Sequence, residues 1–279
     1  MHFPHEILFT QNIDNPMANK IPTVQKSEYL PYIRTNFGRF SQREIARRLQ
    51  IGKTTVNRWS KELGLEHKKH TVNENFFDEL NENSSYLLGY ICADGNIAWD
   101  AKKGYYSTTI TASEKDKDHL EKLRCLLSST KPLLYSPKTK SYRLIVNSKN
   151  LCKKLMEYGL TPRKSLTLQF PSIPPNQLNH FLRGVIDGDG NVRYVERKRS
   201  PYFEITIASG SMDFCKELIK AIKEYTGINA NVRKAAKNVY IIQYSCSRGE
   251  NLAEFVYSDA KIFLERKFLP YKLNVMEVD

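Results

Sequence analysis

The chain has 279 residues, with 43 lysine and arginine residues against 30 aspartate and glutamate residues, and a formal net charge of +13 at pH 7. Hydrophobic residues make up 41% and charged residues 26%, proportions that exclude a wholly disordered chain. No apolar run approaches the roughly 20 residues of a membrane-spanning helix, so we expect no membrane partner. The basic surplus favours a polyanionic partner, with nucleic acid first.

Cysteine and histidine usage predicts neither a disulfide framework nor a zinc site. The five cysteines are widely spread and form no CxxC pair, which is typical of a reducing compartment. His67 and His70 stand at helical spacing, but zinc sites usually need more than two ligands, so we assign these histidines no metal role. The N-terminus shows no basic region followed by an apolar run, so we predict no secretory signal.

The N-terminal part of the chain predicts a tail followed by a small helical domain. Residues 1–26 contain several proline and asparagine residues and no sustained hydrophobic period. The pattern over 27–66 predicts an all-α helix-turn-helix domain. Ser41, with a glutamate three residues later, predicts a capping box at the start of the first motif helix. Gly52 is expected to take a positive φ in the turn, and Thr54–Leu63 to form the second helix.

The second of these helices has a polar face that combines basic side chains with threonine and asparagine. Such side chains reach phosphates and base edges in a major groove, so we predict DNA recognition by this face. A small helical bundle with a solvated basic face is the alternative. The residues are Lys53, Thr54, Thr55, Asn57, Arg58 and Lys61.

An internal repeat follows a polar segment, 67–83, that we predict to be a linker. The first copy contains LLGYICADG at 87–95 and the second contains LRGVIDGDG at 182–190. Each is followed by a strand-like alternation, an amphipathic helix, two more short strands and a last helix. We therefore predict a duplicated αββαββα unit, with the first copy at 84–172 and the second at 173–279.

Each nonamer predicts a helix whose apolar stripe ends in an acid. Gly89 and Gly184 remove side chains where two such helices would cross, so the helices can approach closely. Asp94 and Asp189 would then meet at the end of the interface. Two carboxylates at helix C-termini repel each other unless a cation intervenes, which predicts a divalent metal site suited to phosphodiester hydrolysis. Two unrelated Asp-Gly turns are the alternative, and the duplication argues against them.

Both nonamers resemble the motif of the LAGLIDADG homing endonucleases, in the monomeric form with two motifs. The resemblance implies an α+β fold in which two pseudo-symmetric αββαββα repeats form a DNA-binding saddle. It also implies a monomer that cleaves both strands of a long asymmetric DNA target and leaves short 3′ overhangs. The implied cofactor is Mg²⁺, for which Mn²⁺ can substitute. Asp94 and Asp189 occupy the metal-binding eighth position of each motif, with Ala93 and Gly188 beside them in the implied metal site.

The same resemblance places a basic residue near each active centre, late in each repeat. Lys164 and Lys267 match by position, and we predict that they are catalytic. A lysine there can stabilise the charge that develops on the phosphate or polarise the attacking water. Arg163 and Arg266 are the adjacent alternatives.

The two motifs depart from the family pattern at three positions. Cys92 stands where the other copy has Asp187, at a sixth position that is not the metal ligand in the family. Leu88 and Arg183 replace the small second residue, and we expect Arg183 to lie off the helix seam or to alter the packing there. Both eighth-position acids are retained.

Sequence-specific contacts are expected from the sheet faces and their loops, where basic residues hold phosphates and strand polar residues read bases. Charged hairpin edges that limit aggregation are the alternative explanation for these residues. The candidates in the first copy are Lys102, Lys103, Tyr105, Ser107, Thr109, Lys138, Lys140 and Arg143. The candidates in the second copy are Arg193, Arg197, Lys198, Arg199, Tyr202, Glu204, Thr206, Arg233, Lys234 and Lys237.

Two other functions fit the same fold. A non-catalytic transcription regulator is disfavoured because such proteins tend to lack the metal-binding acids. An RNA maturase for intron splicing stays an alternative, because a basic surface does not distinguish an RNA-binding protein from a DNA endonuclease. An intein is disfavoured by the ends of the chain, Met1 and Asp279. We expect a DNA-associated protein in the cytoplasm, in an organelle, or encoded by a phage within its host cell.

Overall fold

The structure is a computed structural model that describes residues 23–65, 70–100, 102, 104–197 and 201–276, without the side chains of 23–25, 275 and 276. The residues up to 65 belong to one compact unit and those from 70 onward to a second. Residues 1–22 of the predicted tail lie outside the described residues. In the part of the chain that is described, no helix is both long and apolar enough to cross a membrane.

The N-terminal unit consists of three helices around a small apolar core. They are α1 (Thr23–Asn36), α2 (Gln42–Arg48) and α3 (Lys53–Glu62). Four apolar residues are buried between them, namely Ile33, Ile45, Val56 and Trp59. The apolar spacing of the sequence predicts this packing of one helix against another. The first helix begins at Thr23, within the segment predicted to be a tail.

Two local predictions for this unit are wrong in part. Ser41 caps α2, because its hydroxyl accepts from the Glu44 amide at 3.2 Å, but the Glu44 carboxylate does not reach back to the cap. It pairs instead with Arg47 and Arg48, both at 2.7 Å. The positive φ falls on Gln50, at 54°, whereas the glycine at position 52 has a φ of −65°. The chain thus reverses earlier, and the glycine serves as an extended N-cap of α3.

The second unit contains the predicted repeat. The first copy comprises α4 (Glu82–Asp94), β1 (Gly95–Asp100), β2 (Tyr105–Ser113), α5 (Lys117–Leu126), β3 (Leu134–Ser136), β4 (Ser141–Val146) and α6 (Lys149–Glu157). The second copy comprises α7 (Leu178–Asp189), β5 (Gly190–Val195), β6 (Tyr202–Ser209), α8 (Met212–Thr226), β7 (Val232–Ala236), β8 (Val239–Ser245) and α9 (Ser247–Tyr257), and α10 (Glu265–Tyr271) follows it. The order confirms two αββαββα repeats and the α+β class.

Each repeat contains one antiparallel sheet of four strands, ordered β1-β2-β4-β3 and β5-β6-β8-β7. Side chains alternate between the two faces of a strand, so one face of each sheet packs against the helices. Ile110 in β2 and Ile205 and Ile207 in β6 are buried on that face. Four of the described basic residues predicted to contact DNA lie in strands, and the others lie in the turns and loops between strands. Those in strands are Arg143, Arg193, Arg233 and Lys234, and those in turns and loops are Lys102, Lys138, Lys140, Arg197 and Lys237.

The segment 70–81 differs from the predicted linker because it packs against the first repeat. Phe77 is buried in the core of this unit, and the Thr71 amide donates to the Thr130 hydroxyl at 2.8 Å. Asn81 then caps α4 in a reciprocal capping box with Ser84. The capping box marks the start of α4. The asparagine-rich residues around it are also typical of a linker.

The motif helices α4 and α7 make the most extensive contact between described helices. A Cβ on Gly89 would lie 2.1 Å from the Phe181 carbonyl oxygen, and a Cβ on Gly184 would lie 2.0 Å from the Tyr86 carbonyl oxygen. Both contacts are with backbone, which cannot rotate away. The two glycines thus lie where the backbones of α4 and α7 approach most closely, and a side chain at either position would collide with the other helix.

Candidate active site

The helix crossing brings the ends of the two motif helices together. Asp94 is the last residue of α4 and Asp189 is the last residue of α7. A Cβ on Gly188 would lie 2.3 Å from the Ala93 Cβ and 3.5 Å from the Asp94 amide nitrogen. Both aspartates are solvent-exposed. Two acids separated by 95 residues in sequence thus share one open end of the interface.

The environment disfavours negative charge on both acids. Although both side chains are open to solvent, the protein packed around them withholds hydration and raises the pKa of Asp94. The same effect, followed by repulsion from Asp94, raises the pKa of Asp189 to about 6. Each carboxylate also stands at the negative end of a helix dipole. The site therefore favours a cation between the two carboxylates.

Lys164 occupies a buried position behind the first acid, with 5% of its surface exposed. It lies in a short 3₁₀ turn after α6, and its Nζ donates to the carbonyl oxygens of Cys92 at 2.7 Å and Ala93 at 3.3 Å. Burial lowers the pKa of this lysine. The side chain caps the C-terminal turn of α4, whose carbonyls would otherwise lack partners.

Lys267 occupies the matching position in the second repeat, with 4% of its surface exposed. It lies in α10, and its Nζ donates to the carbonyl oxygens of Ile186, Asp187 and Gly188 at 2.9, 2.6 and 2.9 Å. Burial lowers the pKa of this lysine to about 8. Both predicted lysines therefore lie at the site, each held by the motif helix of its own repeat.

The adjacent arginines differ in their distance from the site, and the charge of Arg266 opposes the rise in the pKa of Asp94. Arg163 is exposed and has a φ of 60°. Arg266 donates from Nε to the Asp116 carboxylate at 3.0 Å.

Lys267→Met is expected to lower the free energy of unfolding by about 3 kcal/mol, because three buried carbonyls lose their shared donor. In a unit of this size that loss corresponds to a fall in Tm of roughly 6–12 °C. Thermal denaturation of the full chain measures it. Lys220→Met is the control, since Lys220 forms only an exposed pair with Glu217 at 3.6 Å. Equal melting temperatures for the two variants would contradict the capping role.

Asp187 is a buried acid whose importance the sequence did not indicate. Its carboxylate accepts from the Tyr86 hydroxyl at 2.8 Å, the Tyr257 hydroxyl at 3.2 Å and the Leu264 amide at 2.7 Å. Burial raises the pKa of this carboxyl to about 6. Because Tyr86 belongs to α4, this acid joins the two repeats within the motif-helix contact, two residues before Asp189. Its only sequence signal is a charged residue within an apolar motif.

Arg183 contacts the partner motif helix, so of the two outcomes expected for it, the structure agrees with altered packing at the seam. Its guanidinium carbon lies 5.5 Å from the centre of the Tyr86 ring, and its Nη2 lies 3.5 Å from Glu82 Oε1, both in α4. Its side chain is fully buried, and it donates to the carbonyl oxygens of Ile262 and Val256, both at 2.8 Å. The arginine thus fixes the segment that follows α9, which leads to α10 and its capping lysine.

The described basic candidates for DNA contact are all exposed. In the first repeat these are Lys102, Lys138, Lys140 and Arg143, and the aromatic Tyr105 is exposed beside them. In the second repeat they are Arg193, Arg197, Arg233, Lys234 and Lys237. On α3, Lys53, Thr54, Asn57, Arg58 and Lys61 are exposed and Thr55 is half-buried.

Two strand residues differ from the prediction that they read bases. Ser107 and Glu204 are each 2% exposed, so neither side chain is free to reach a base edge. Thr109, Tyr202 and Thr206 are half-buried. Three further candidates, Lys103, Lys198 and Arg199, lie outside the described residues, as does His67.

Among the residues with described positions, no three His, Cys, Asp or Glu side chains form a group that could hold a metal ion. The two motif acids therefore offer a partial ligand set. A hard divalent cation fits such a set, since it accepts carboxylate oxygens and takes further oxygens from water or phosphate.

Comparison with known proteins gives results at the level of sequence and of fold. An uncharacterised protein of Methanocaldococcus jannaschii is 24% identical over 234 residues, covering 82% of this chain and 78% of the relative. The LAGLIDADG meganuclease I-AabMI, solved bound to uncleaved DNA, has a TM-score of 0.48 and 18% identity, over 67% of this chain and 87% of that one. Mesophilic variants of the homing endonuclease I-DmoI give a TM-score of 0.48 and 16% identity, over 68% and 93%.

The family comparison covers both repeats. The model of the LAGLIDADG-like domain matches residues 81–159 and 176–257, which together make up more than half of the chain. Each match begins at or just before a motif helix and ends with the last helix of that repeat. The chain belongs to the LAGLIDADG-like family, with two copies of the domain.

Proposed function

We propose that this protein is a site-specific DNA endonuclease that uses Mg²⁺ to cut both strands of a long asymmetric target and leaves short 3′ overhangs. The observation that carries the proposal is the meeting of Asp94 and Asp189 at the open end of the α4–α7 crossing. The proposal rests on this pair of acids and not on the likeness to proteins solved with DNA.

Asp94 and Asp189 would hold the divalent cation, with Mn²⁺ as a substitute for Mg²⁺. The Ala93 and Gly188 carbonyl oxygens accept from Lys164 and Lys267, and each carbonyl oxygen has a second lone pair for a further partner. When bound, the cation supplies charge neutralisation at the phosphate and lowers the pKa of water.

The lysines contribute position and charge. Lys164 and Lys267 fix the carbonyl ends of the two motif helices, and so fix the acids at the last residue of each. Their ammonium groups lie behind the acids and offset the negative helix ends during attack on a phosphodiester.

The proposal is tested with full-length protein and a randomised duplex library, from which bound and cut molecules are recovered and sequenced. We expect a defined site, cut on both strands in Mg²⁺ and uncut in EDTA, with ends that carry a short 3′ extension. Specific binding without cutting in Mg²⁺ or Mn²⁺ would contradict the nuclease and favour a transcription regulator. If a structured RNA added as a competitor binds more tightly than the duplex DNA, the result would favour a maturase.

We also propose that the N-terminal unit adds contacts to the target through α3. Its exposed face presents Lys53, Asn57, Arg58 and Lys61 on one side of the helix, opposite the buried Val56 and Trp59. This arrangement is suited to insertion into a major groove.

The effect of α3 is measured with Arg58→Ala in the full chain. The substitution is expected to weaken binding several-fold and to remove sequence preference at one edge of the selected site, while the cleavage positions stay the same. The exposed Arg34→Ala on α1 is the control. A selected site of unchanged length and affinity would mean that α3 does not contact the DNA.

A further inference from the structure

Arg193 and Glu204 form a fixed pair on the outer face of the second sheet, four residues beyond Asp189 in the chain. They stand opposite each other in the β5–β6 register. Glu204 Oε1 accepts from Arg193 Nε at 2.8 Å and from Nη2 at 2.5 Å. The glutamate side chain is 2% exposed and that of the arginine 55%. The buried acid thus anchors an arginine that faces solvent.

The second oxygen of the glutamate is also occupied. Oε2 accepts from Gln243 Nε2 at 2.5 Å and from the Ser245 hydroxyl at 3.2 Å. Because both oxygens are satisfied, the carboxylate is held in place from two sides, and it holds the guanidinium in one orientation.

The orientation leaves one edge of the guanidinium unused. Nε and the near hydrogen of Nη2 bind Glu204, while Nη1 and the outer hydrogen of Nη2 have no partner among the residues that the structure describes. These two N–H groups are parallel by the covalent geometry of the guanidinium, and together they form its outer, Nη1–Nη2 edge. A parallel pair of donors matches the O6 and N7 acceptors of guanine in the major groove.

The first repeat has no equivalent pair. The matching register position joins Ala98 in β1 to Ser107 in β2, two small uncharged residues. Both pairs lie at the same distance along the sheet from the acid of their repeat. The two sheets therefore differ in their ability to read a base close to the cleavage centre.

We propose that Arg193, positioned by Glu204, reads one guanine in the half-site under the second sheet, and that the half-site under the first sheet has no guanine requirement at the equivalent position. The inference rests on the proposed function, since it assumes that this sheet face binds duplex DNA. Arg193 is a specificity-determining residue, and Glu204 is a positioning residue that acts through it.

The test compares full-length variants in EDTA, where bound duplexes from the randomised library are recovered uncut. Wild type is expected to require guanine at one position near the centre of the site. Arg193→Lys is expected to reduce that preference at least about tenfold and to leave the others unchanged, because lysine keeps the charge beside Glu204 but lacks the two-donor edge. Glu204→Gln is expected to reduce the same preference, since the neutral side chain holds the guanidinium less firmly.

Arg233→Ala is the matched control, since Arg233 is an exposed arginine of the same sheet. It is expected to weaken all sequences alike. A selected site whose base preferences are unchanged in Arg193→Lys would overturn this inference and leave the nuclease proposal standing. A wild-type protein that selects no duplex site would overturn both. The melting temperatures of the Arg193 and Glu204 variants are compared with that of the wild type. Equal values show that a variant has lost base recognition and not its fold.

Discussion

Gly184→Ala is expected to lower the free energy of unfolding by about 3 kcal/mol, although alanine is the better helix former by about 1 kcal/mol. The reason is the contact at the crossing of α4 and α7, where the new Cβ would lie 2.0 Å from the Tyr86 carbonyl oxygen and 2.8 Å from the Tyr90 amide nitrogen. Neither atom can move without displacing helix α4 as a whole. The steric cost therefore outweighs the gain in helix propensity.

Thermal and chemical denaturation measure this loss, which corresponds to a fall in Tm of roughly 6–12 °C. Gly89→Ala is expected to give a similar result, since its Cβ would lie 2.1 Å from the Phe181 carbonyl oxygen. Lys216→Ala on the exposed face of α8 is the control and should change stability by less than about 0.5 kcal/mol. Stabilisation by Gly184→Ala would show that the two helices do not cross backbone to backbone.

The second large effect is on cleavage. Asp94→Asn and Asp189→Asn are each expected to reduce double-strand cleavage about a thousandfold, because the amide cannot offer the negative charge that a divalent cation requires. Binding of the target should persist, since it depends on the sheets and loops. Asp213→Asn, an exposed acid in the first turn of α8, is the control and should cut normally.

Measurements of folding stability distinguish a role of Asp189 in cleavage from a structural role. Burial and the charge of Asp94 raise the pKa of Asp189 to about 6, so without metal the fold favours the protonated carboxyl. Metal-free wild type should therefore become more stable as the pH falls through 6. Asp189→Asn should lose part of that dependence, and the rest should remain because the pKa of Asp187 is also raised to about 6. At pH 7 the asparagine variant is expected to be at least as stable as wild type. A lower Tm for the variant would indicate that the acid supports the fold.

The pairing of the two acids could be predicted from the sequence because it depends on a repeated local pattern. The apolar stripe specifies which face of each helix is buried, and Gly89 and Gly184 specify how closely the helices approach. Once both are known, the residues that end the two stripes have to meet. The same reasoning predicted the order of strands and helices in each repeat.

Contacts between distant segments could not be predicted in this way. Lys164 and Lys267 were located by their parallel position, but their carbonyl acceptors lie 72 and 81 residues away in the chain and depend on how the last turn of each repeat folds back. Asp187 aligns with Cys92 at a position that is not a metal ligand in the family, and the tyrosines that bind it come from both repeats. Its partners are set by the tertiary fold alone.

We propose that Asp94 and Asp189, one from each repeat, form one centre that cuts two strands. The most direct test incubates supercoiled plasmid carrying the selected site with Mg²⁺ and either Asp94→Asn or Asp189→Asn, and then maps any nick to its strand by primer extension. Linear product is expected to be lost with either variant, and the residual nicks made by the two variants are expected to fall on opposite strands. Linear product formed by both variants at the wild-type rate would contradict this proposal.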